Sequence, residues 1–75
     1  MDPQAAWERL LEEYRACQWE EVEAVAQGLM EWLERGGFPP CVTAGAALGP
    51  DWDRVIVMAV ARFARRRARR EKGGR

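Results

Sequence analysis

The strongest constraint on what this sequence can fold into is the stretch Val55–Ala61, which is apolar around the whole circumference of a helix. A helix that is apolar all round is normally buried all round. The chain has 75 residues, so such a helix is either the central element of the domain or part of a subunit interface. We expect an interface between chains, formed by Val55, Met58 and Ala59 together with Trp32.

Two amphipathic helices are predicted before this stretch. The first begins at the N-cap Asp2, with proline at the first helical position, and carries a narrow apolar stripe to about residue 16. The second covers about 19–35, and its wider stripe predicts contacts with more than one neighbour. Gly36-Gly37 supplies a left-handed C-cap, with Phe38 as its hydrophobic contact, before a Pro-Pro pair ends the helix.

The third helix is predicted from Pro50 or Asp51 to about Arg70. Its core-facing side is expected to carry the apolar residues Ile56, Val57, Val60, Phe63, Ala64 and Ala68. Between the second and third helices, Thr43 is expected to cap one short helical turn through Leu48. The fold class is therefore all-α: an antiparallel helical hairpin with a long third helix packed across it, a small three-helix bundle. We expect one domain over residues 1–72 and a frayed tail over 73–75.

Charge is divided between the two ends of the chain, although the net charge is zero. Residues 1–53 hold eleven acidic and three basic side chains, a balance of −8, and residues 54–75 hold one acidic and nine basic side chains, a balance of +8. This division indicates a basic arm for an anionic partner or head-to-tail self-association. The alternative is that the basic end folds back on the acidic helices of its own chain.

The arginines of the third helix form the candidate anion-binding face: Arg62, Arg65, Arg66, Arg69 and Arg70. Guanidinium groups spaced along one side of a helix can follow the phosphates of a nucleic-acid backbone. An acidic protein surface, another copy of the chain, or solvent alone would satisfy the same charges. Base reading is not expected, because no base-recognition pattern accompanies the arginines.

Catalysis and metal binding are not expected from this composition. The chain has no histidine, which is the commonest general base and metal ligand. Cys17 and Cys41 do not have metal-ligand spacing, and we expect two buried thiols, with a disulfide as the alternative. We predict no cofactor and no metal. No apolar run is long enough to cross a bilayer and no secretory signal opens the chain, so a cytoplasmic protein without a membrane partner is expected.

Residues 7–33 resemble a single tetratricopeptide-repeat hairpin. The spacing of Trp7, Leu10 and Tyr14 is similar to the Trp-x2-Leu-x3-Tyr pattern of that repeat's first helix. Cys17-Gln18-Trp19-Glu20-Glu21-Val22 is similar to its interhelix stretch, whereas Leu11 departs from the small residue usual at that position. The resemblance implies a protein-interaction role. The sequence as a whole thus favours a small, non-catalytic, self-associating subunit, with nucleic-acid backbone binding as the alternative.

Overall fold

The computed structural model describes residues 1–43, 45–46 and 48–73, and these form three helices. Helix α1 spans Pro3–Arg15, α2 spans Trp19–Glu34 and α3 spans Pro50–Gly73. The predicted all-α architecture, a helical hairpin with a long third helix, is confirmed. Helix α3 continues about one turn beyond the predicted end, so Gly73 is helical, while residues 74–75 of the expected tail lie outside the described residues.

The helix ends of the hairpin follow from local sequence signals. Asp2 accepts hydrogen bonds at Oδ1 from the backbone N–H groups of Gln4 and Ala5, at 3.1 and 3.2 Å, which satisfies two free donors of α1. Gly36 adopts a φ of 86° after α2, the left-handed conformation that favours glycine. The expected hydrophobic contact of Phe38 is wrong: its ring is exposed, and its carbonyl oxygen instead accepts a hydrogen bond from the Trp32 indole.

Asp53 anchors the connection between α2 and α3. One oxygen, Oδ1, accepts hydrogen bonds from the backbone N–H groups of Val42 and Thr43 at 3.1 and 2.9 Å, and from the Thr43 hydroxyl at 2.6 Å. The Thr43 hydroxyl thus bonds to Asp53, while the Thr43 carbonyl accepts a hydrogen bond from the Ala46 N–H at 3.0 Å. Residues 44 and 47 of the short helical turn predicted through Leu48 lie outside the described residues. These bonds, led by that of the Thr43 hydroxyl, hold the pKa of Asp53 below its ordinary value.

Helix α2 is the central element, with α1 and α3 each packed against it and in little contact with one another. The α3 residues that face α2 are mostly small: Val57, Ala61, Ala64 and Ala68 are buried, along with Asp53. The predicted core side is thus partly wrong. Ala61, which was not expected on the core-facing side, lies at the centre of the contact with α2. Of the larger residues expected there, Ile56 and Val60 are only partly buried and Phe63 is 50 % exposed. Because alanine side chains are short, α3 can approach α2 closely along this line.

Ala61 and Ala59 offer a matched test of this close contact. Leucine at Ala61 adds three carbons to a fully buried position between α2 and α3, so Ala61→Leu is expected to destabilise the fold by about 1–3 kcal/mol. Leucine at Ala59, two residues away but exposed, is expected to change the free energy of unfolding of the monomer by less than about 0.5 kcal/mol, measured at a concentration too low for self-association. Urea unfolding followed by circular dichroism measures both; equal effects would contradict the packing described.

The Asp53 anchor predicts a pH dependence of stability. Since the folded-state pKa of Asp53 is lowered, its contribution is present above the ordinary carboxyl range and is lost as the pH falls through the lowered pKa. Asp53→Ala leaves three donors without their acceptor and is expected to lower the urea midpoint at neutral pH. Asp53→Asn keeps an oxygen acceptor but cannot ionise, so its urea midpoint should fall less on acidification than that of the wild type.

Candidate interaction surfaces of α3

The C-terminal half of α3 is tied to the other two helices through Arg67. Its guanidinium lies 5.2 Å from the ring centroid of Trp19 in α2 and donates to the Tyr14 hydroxyl of α1 at 3.2 Å. Tyr14 and Trp19 meet edge to face, with ring centroids 5.3 Å apart. An ion pair with Glu71 at 2.8 Å is the main reason why the pKa of Arg67 is raised. Arg67 therefore stabilises the packing of α3 against α1 and α2, and its guanidinium is already occupied by contacts within the chain.

Part of the charge division is neutralised within the chain. Glu23 of α2 accepts hydrogen bonds from Lys72 and from Arg69, the latter at 2.7 Å, and Lys72 also pairs with Glu20 at 2.9 Å. Lys72 and then Arg69 lower the pKa of Glu23, while Glu23 and then Glu20 raise the pKa of Lys72. The end of α3 thus folds back on the acidic start of α2, as one of the sequence alternatives proposed.

The candidate anion-binding arginines fall into two groups. Four of them line one shallow surface hollow of about 250 Å³: Arg62, Arg65, Arg66 and Arg69. Two of these are also bound to α2, because Arg65 donates to Gln27 Oε1 at 2.5 Å and Arg69 pairs with Glu23. Arg62, Arg66 and Arg70 are exposed and make no hydrogen bond or ion pair with any other residue that the structure describes. These three are the arginines that a partner could neutralise.

The candidate interface residues differ in exposure. Val55 is 64 % exposed and Ala59 is also exposed, whereas Met58 is partly buried and packs against the core. Trp32 is partly buried too: its Nε1 donates to the Phe38 carbonyl at 2.8 Å, and its ring lies over Gly37, where a Cβ would collide with the indole. Trp32 therefore packs on the residues that follow α2 and stabilises the end of that helix. Of the candidate interface residues, Val55 and Ala59 are the most available to a partner.

Two exposed apolar features were not predicted from the sequence. An open groove of about 600 Å³ lies between α1 and α3. The ring centroids of Phe63 and Tyr14 are 6.2 Å apart in this groove, and Leu11 is exposed there. Trp52, 55 % exposed, extends the apolar surface of α3 toward its N-terminus. A signal for the groove was present in the sequence: the alanines at 61, 64 and 68 form a stripe of their own, and Phe63 does not belong to it.

Acidic side chains occupy the opposite end of α3 from the arginines. Asp51, in the first turn of α3, and Glu34, at the end of α2, are both exposed. Neither makes a side-chain hydrogen bond or ion pair with another described residue. Arg54, one turn after Asp51, donates to the Leu33 carbonyl at 2.9 Å. Asp51 near the start of α3 and Arg62 and Arg66 farther along it are therefore opposite charges without an ion-pair partner among the described residues.

The cysteines do not take the predicted buried positions. Both are free and exposed in the structure. Cys17 occupies the turn between α1 and α2 with a φ of 58°, and Cys41 lies in the α2–α3 connection, where its backbone N–H donates to Gln4 Oε1 at 2.9 Å. Over the described ranges, no three potential ligands among His, Cys, Asp and Glu converge as a metal site would need. None of the three helices combines the length and the apolar character needed to span a bilayer.

Comparisons of the chain with protein-family models, with curated proteins and with solved structures find no match. The resemblance of residues 7–33 to a tetratricopeptide-repeat hairpin therefore stays a prediction. Function has to be inferred from the surfaces of α3 themselves.

Proposed function

We propose that this protein is a small, non-catalytic assembly subunit that self-associates through the exposed side of α3. The observation that carries the proposal is the exposure of Val55 and Ala59, which both belong to the stretch Val55–Ala61 that is apolar all round. Such a helix is either the centre of its domain or part of an interface. Since α2 holds the central position, the interface explains why Val55 and Ala59 are apolar.

The size of the domain supports the same proposal. A chain of this length buries only about 60 % of the surface of its unfolded state, so its stability is marginal without additional burial. Trp52 and Val55 nevertheless leave more than half of their side-chain surface in water. Contiguous exposed apolar surface on a small soluble domain usually marks an interaction site. Association with a second copy would bury it.

Val55→Lys is the first test of self-association. An ammonium group in a buried apolar contact would be desolvated, and it would be repelled by the arginines that lie on the same side of α3, so the variant is expected to be monomeric where the wild type is oligomeric. Leu11→Lys is the matched control, because Leu11 is also exposed but belongs to α1, where it lines the groove between α1 and α3. Analytical ultracentrifugation should show dissociation for Val55→Lys alone. Met58→Glu is a poorer probe, since Met58 also packs against the core.

A second candidate function is binding to a nucleic-acid backbone. The specific observation is that Arg62, Arg65, Arg66 and Arg69 line a single hollow, and that only Arg69 among them pairs with a carboxylate of the described residues. From residue 62 to residue 69 the helix rises about 10 Å, which is a few phosphates along a strand. An acidic protein surface would use the same groups, and the binding test below separates the two ligands.

Nucleic-acid binding predicts a characteristic salt dependence. Arg62, Arg66 and Arg70 would neutralise about three phosphates of duplex DNA. A plot of the logarithm of the association constant against the logarithm of the salt concentration should then have a slope of about −3. Reversing all three to Glu should abolish binding without unfolding the chain, since all three are exposed and none makes a hydrogen bond or ion pair with another described residue. The matched Lys variant keeps the charges and should retain the slope. Fluorescence anisotropy with mixed-sequence DNA and RNA tests this, and no binding at tens of micromolar protein would contradict it.

A further inference from the structure

One side of α3 combines apolar residues at its centre with opposite charges at its two ends. We call this side the outer face: Asp51, Val55, Met58, Ala59, Arg62 and Arg66. At 100° per residue these six positions lie within about 100° of one another around the helix axis, opposite the buried Val57. The face therefore reads, from N-terminus to C-terminus, as acidic, apolar and basic.

The unneutralised charges of the outer face favour one orientation of a second copy. Asp51 has no ion-pair partner among the described residues, and neither do Arg62 and Arg66. A parallel copy of α3 would place arginine against arginine, which like-charge repulsion opposes. An antiparallel copy places Asp51 of each chain beside Arg66 of the other. The face is thus complementary to itself only when the two helices run in opposite directions.

We infer that α3 packs antiparallel against α3 of a second copy, about a two-fold axis that passes between Met58 and Ala59. This inference rests on the proposed self-association and specifies its geometry. Pairing Asp51 with Arg66 fixes the register, because the midpoint of residues 51 and 66 lies between residues 58 and 59. Each contact then occurs twice, as a two-fold interface requires.

The side chains suit this register. Ala59 beside the axis is small and exposed, so two helices can approach to about 8–10 Å. Val55 of one chain lies opposite Arg62 of the other, whose aliphatic stem can cover it while the guanidinium reaches water. Glu34, exposed at the end of α2 beside the first turns of α3, adds acidic charge at the end that receives the partner's arginines. The α1–α3 groove, in contrast, has no such ordering of charge and apolar residues along it.

Disulfide cross-linking tests the axis position directly. In a full-length chain with Cys17→Ser and Cys41→Ser, a single cysteine at Ala59 lies near the axis, whereas one at Arg66 is about 22 Å along the axis from its symmetry mate. A disulfide needs the two Cα atoms within about 7 Å. Mild oxidation should therefore give covalent dimers of Ala59→Cys and not of Arg66→Cys. Equal cross-linking at both positions would mean parallel helices, and would overturn the inference.

Charge reversal tests the pairing independently. Asp51→Arg and Arg66→Asp each turn two attractive contacts into repulsive ones, so each is expected to raise the dimer dissociation constant about tenfold at low salt. The double variant restores opposite charges across an antiparallel interface, and should return to within about threefold of the wild type. In a parallel arrangement the double variant would repel again. Failure of rescue, with circular dichroism showing a folded chain, would refute the antiparallel pairing.

The outcomes separate the inference from the function on which it rests. A wild-type chain that remains monomeric at about 100 μM would overturn self-association itself, since even weak specific dimers are populated there. A wild-type dimer that fails the cross-linking and rescue tests would leave self-association standing and remove only the antiparallel outer-face contact. Rising salt should weaken the wild-type dimer and leave the apolar contact around Met58 and Ala59 as the residual interaction.

Discussion

The close contact between the small side chains of α3 and the central helix α2 determines how the rest of the molecule is arranged. Ala61, Ala64 and Ala68 are buried along this line because short side chains let the two helix backbones approach each other. The rotation of α3 that presents these alanines and Val57 to α2 turns two larger apolar residues, Val55 and Phe63, away from it. Val55 then faces outward and Phe63 faces the groove beside α1. The exposed apolar surface is thus a consequence of how the core is packed.

The same rotation divides the basic residues of α3 between structure and surface. Arg65, Arg67, Arg69 and Lys72 reach partners in the hairpin, and these contacts hold the C-terminal half of α3 against α2. Arg62, Arg66 and Arg70 emerge on the other side and leave their charge in water. Some arginines of this uniform-looking run therefore stabilise the packing of α3, whereas Arg62, Arg66 and Arg70 are the ones available to a partner.

The proposed self-association and the alternative, anion binding, would use the same arginines. Arg62 and Arg66 belong both to the outer face and to the arginine-lined hollow. If Arg66 pairs with Asp51 of a second copy, it is no longer free to neutralise a phosphate, so the two ligands would compete by mass action. The two proposed functions would then be linked through shared groups rather than through a change in shape, and the bound partner would depend on salt and on the concentration of each ligand.

The three helices can be predicted from the sequence because their signals are local: the Asp2 cap, the glycine after α2 and the apolar periodicity each act within a few residues. The sequence also determined that α3 has apolar residues on every side. Which side becomes buried was decided only by the tertiary structure, since a helical wheel orders the side chains but contains no information about how closely a neighbour can approach. For the same reason, the exposure of Cys17 and Cys41, the Asp53 anchor and the division of the arginines depend on contacts between residues far apart in the chain.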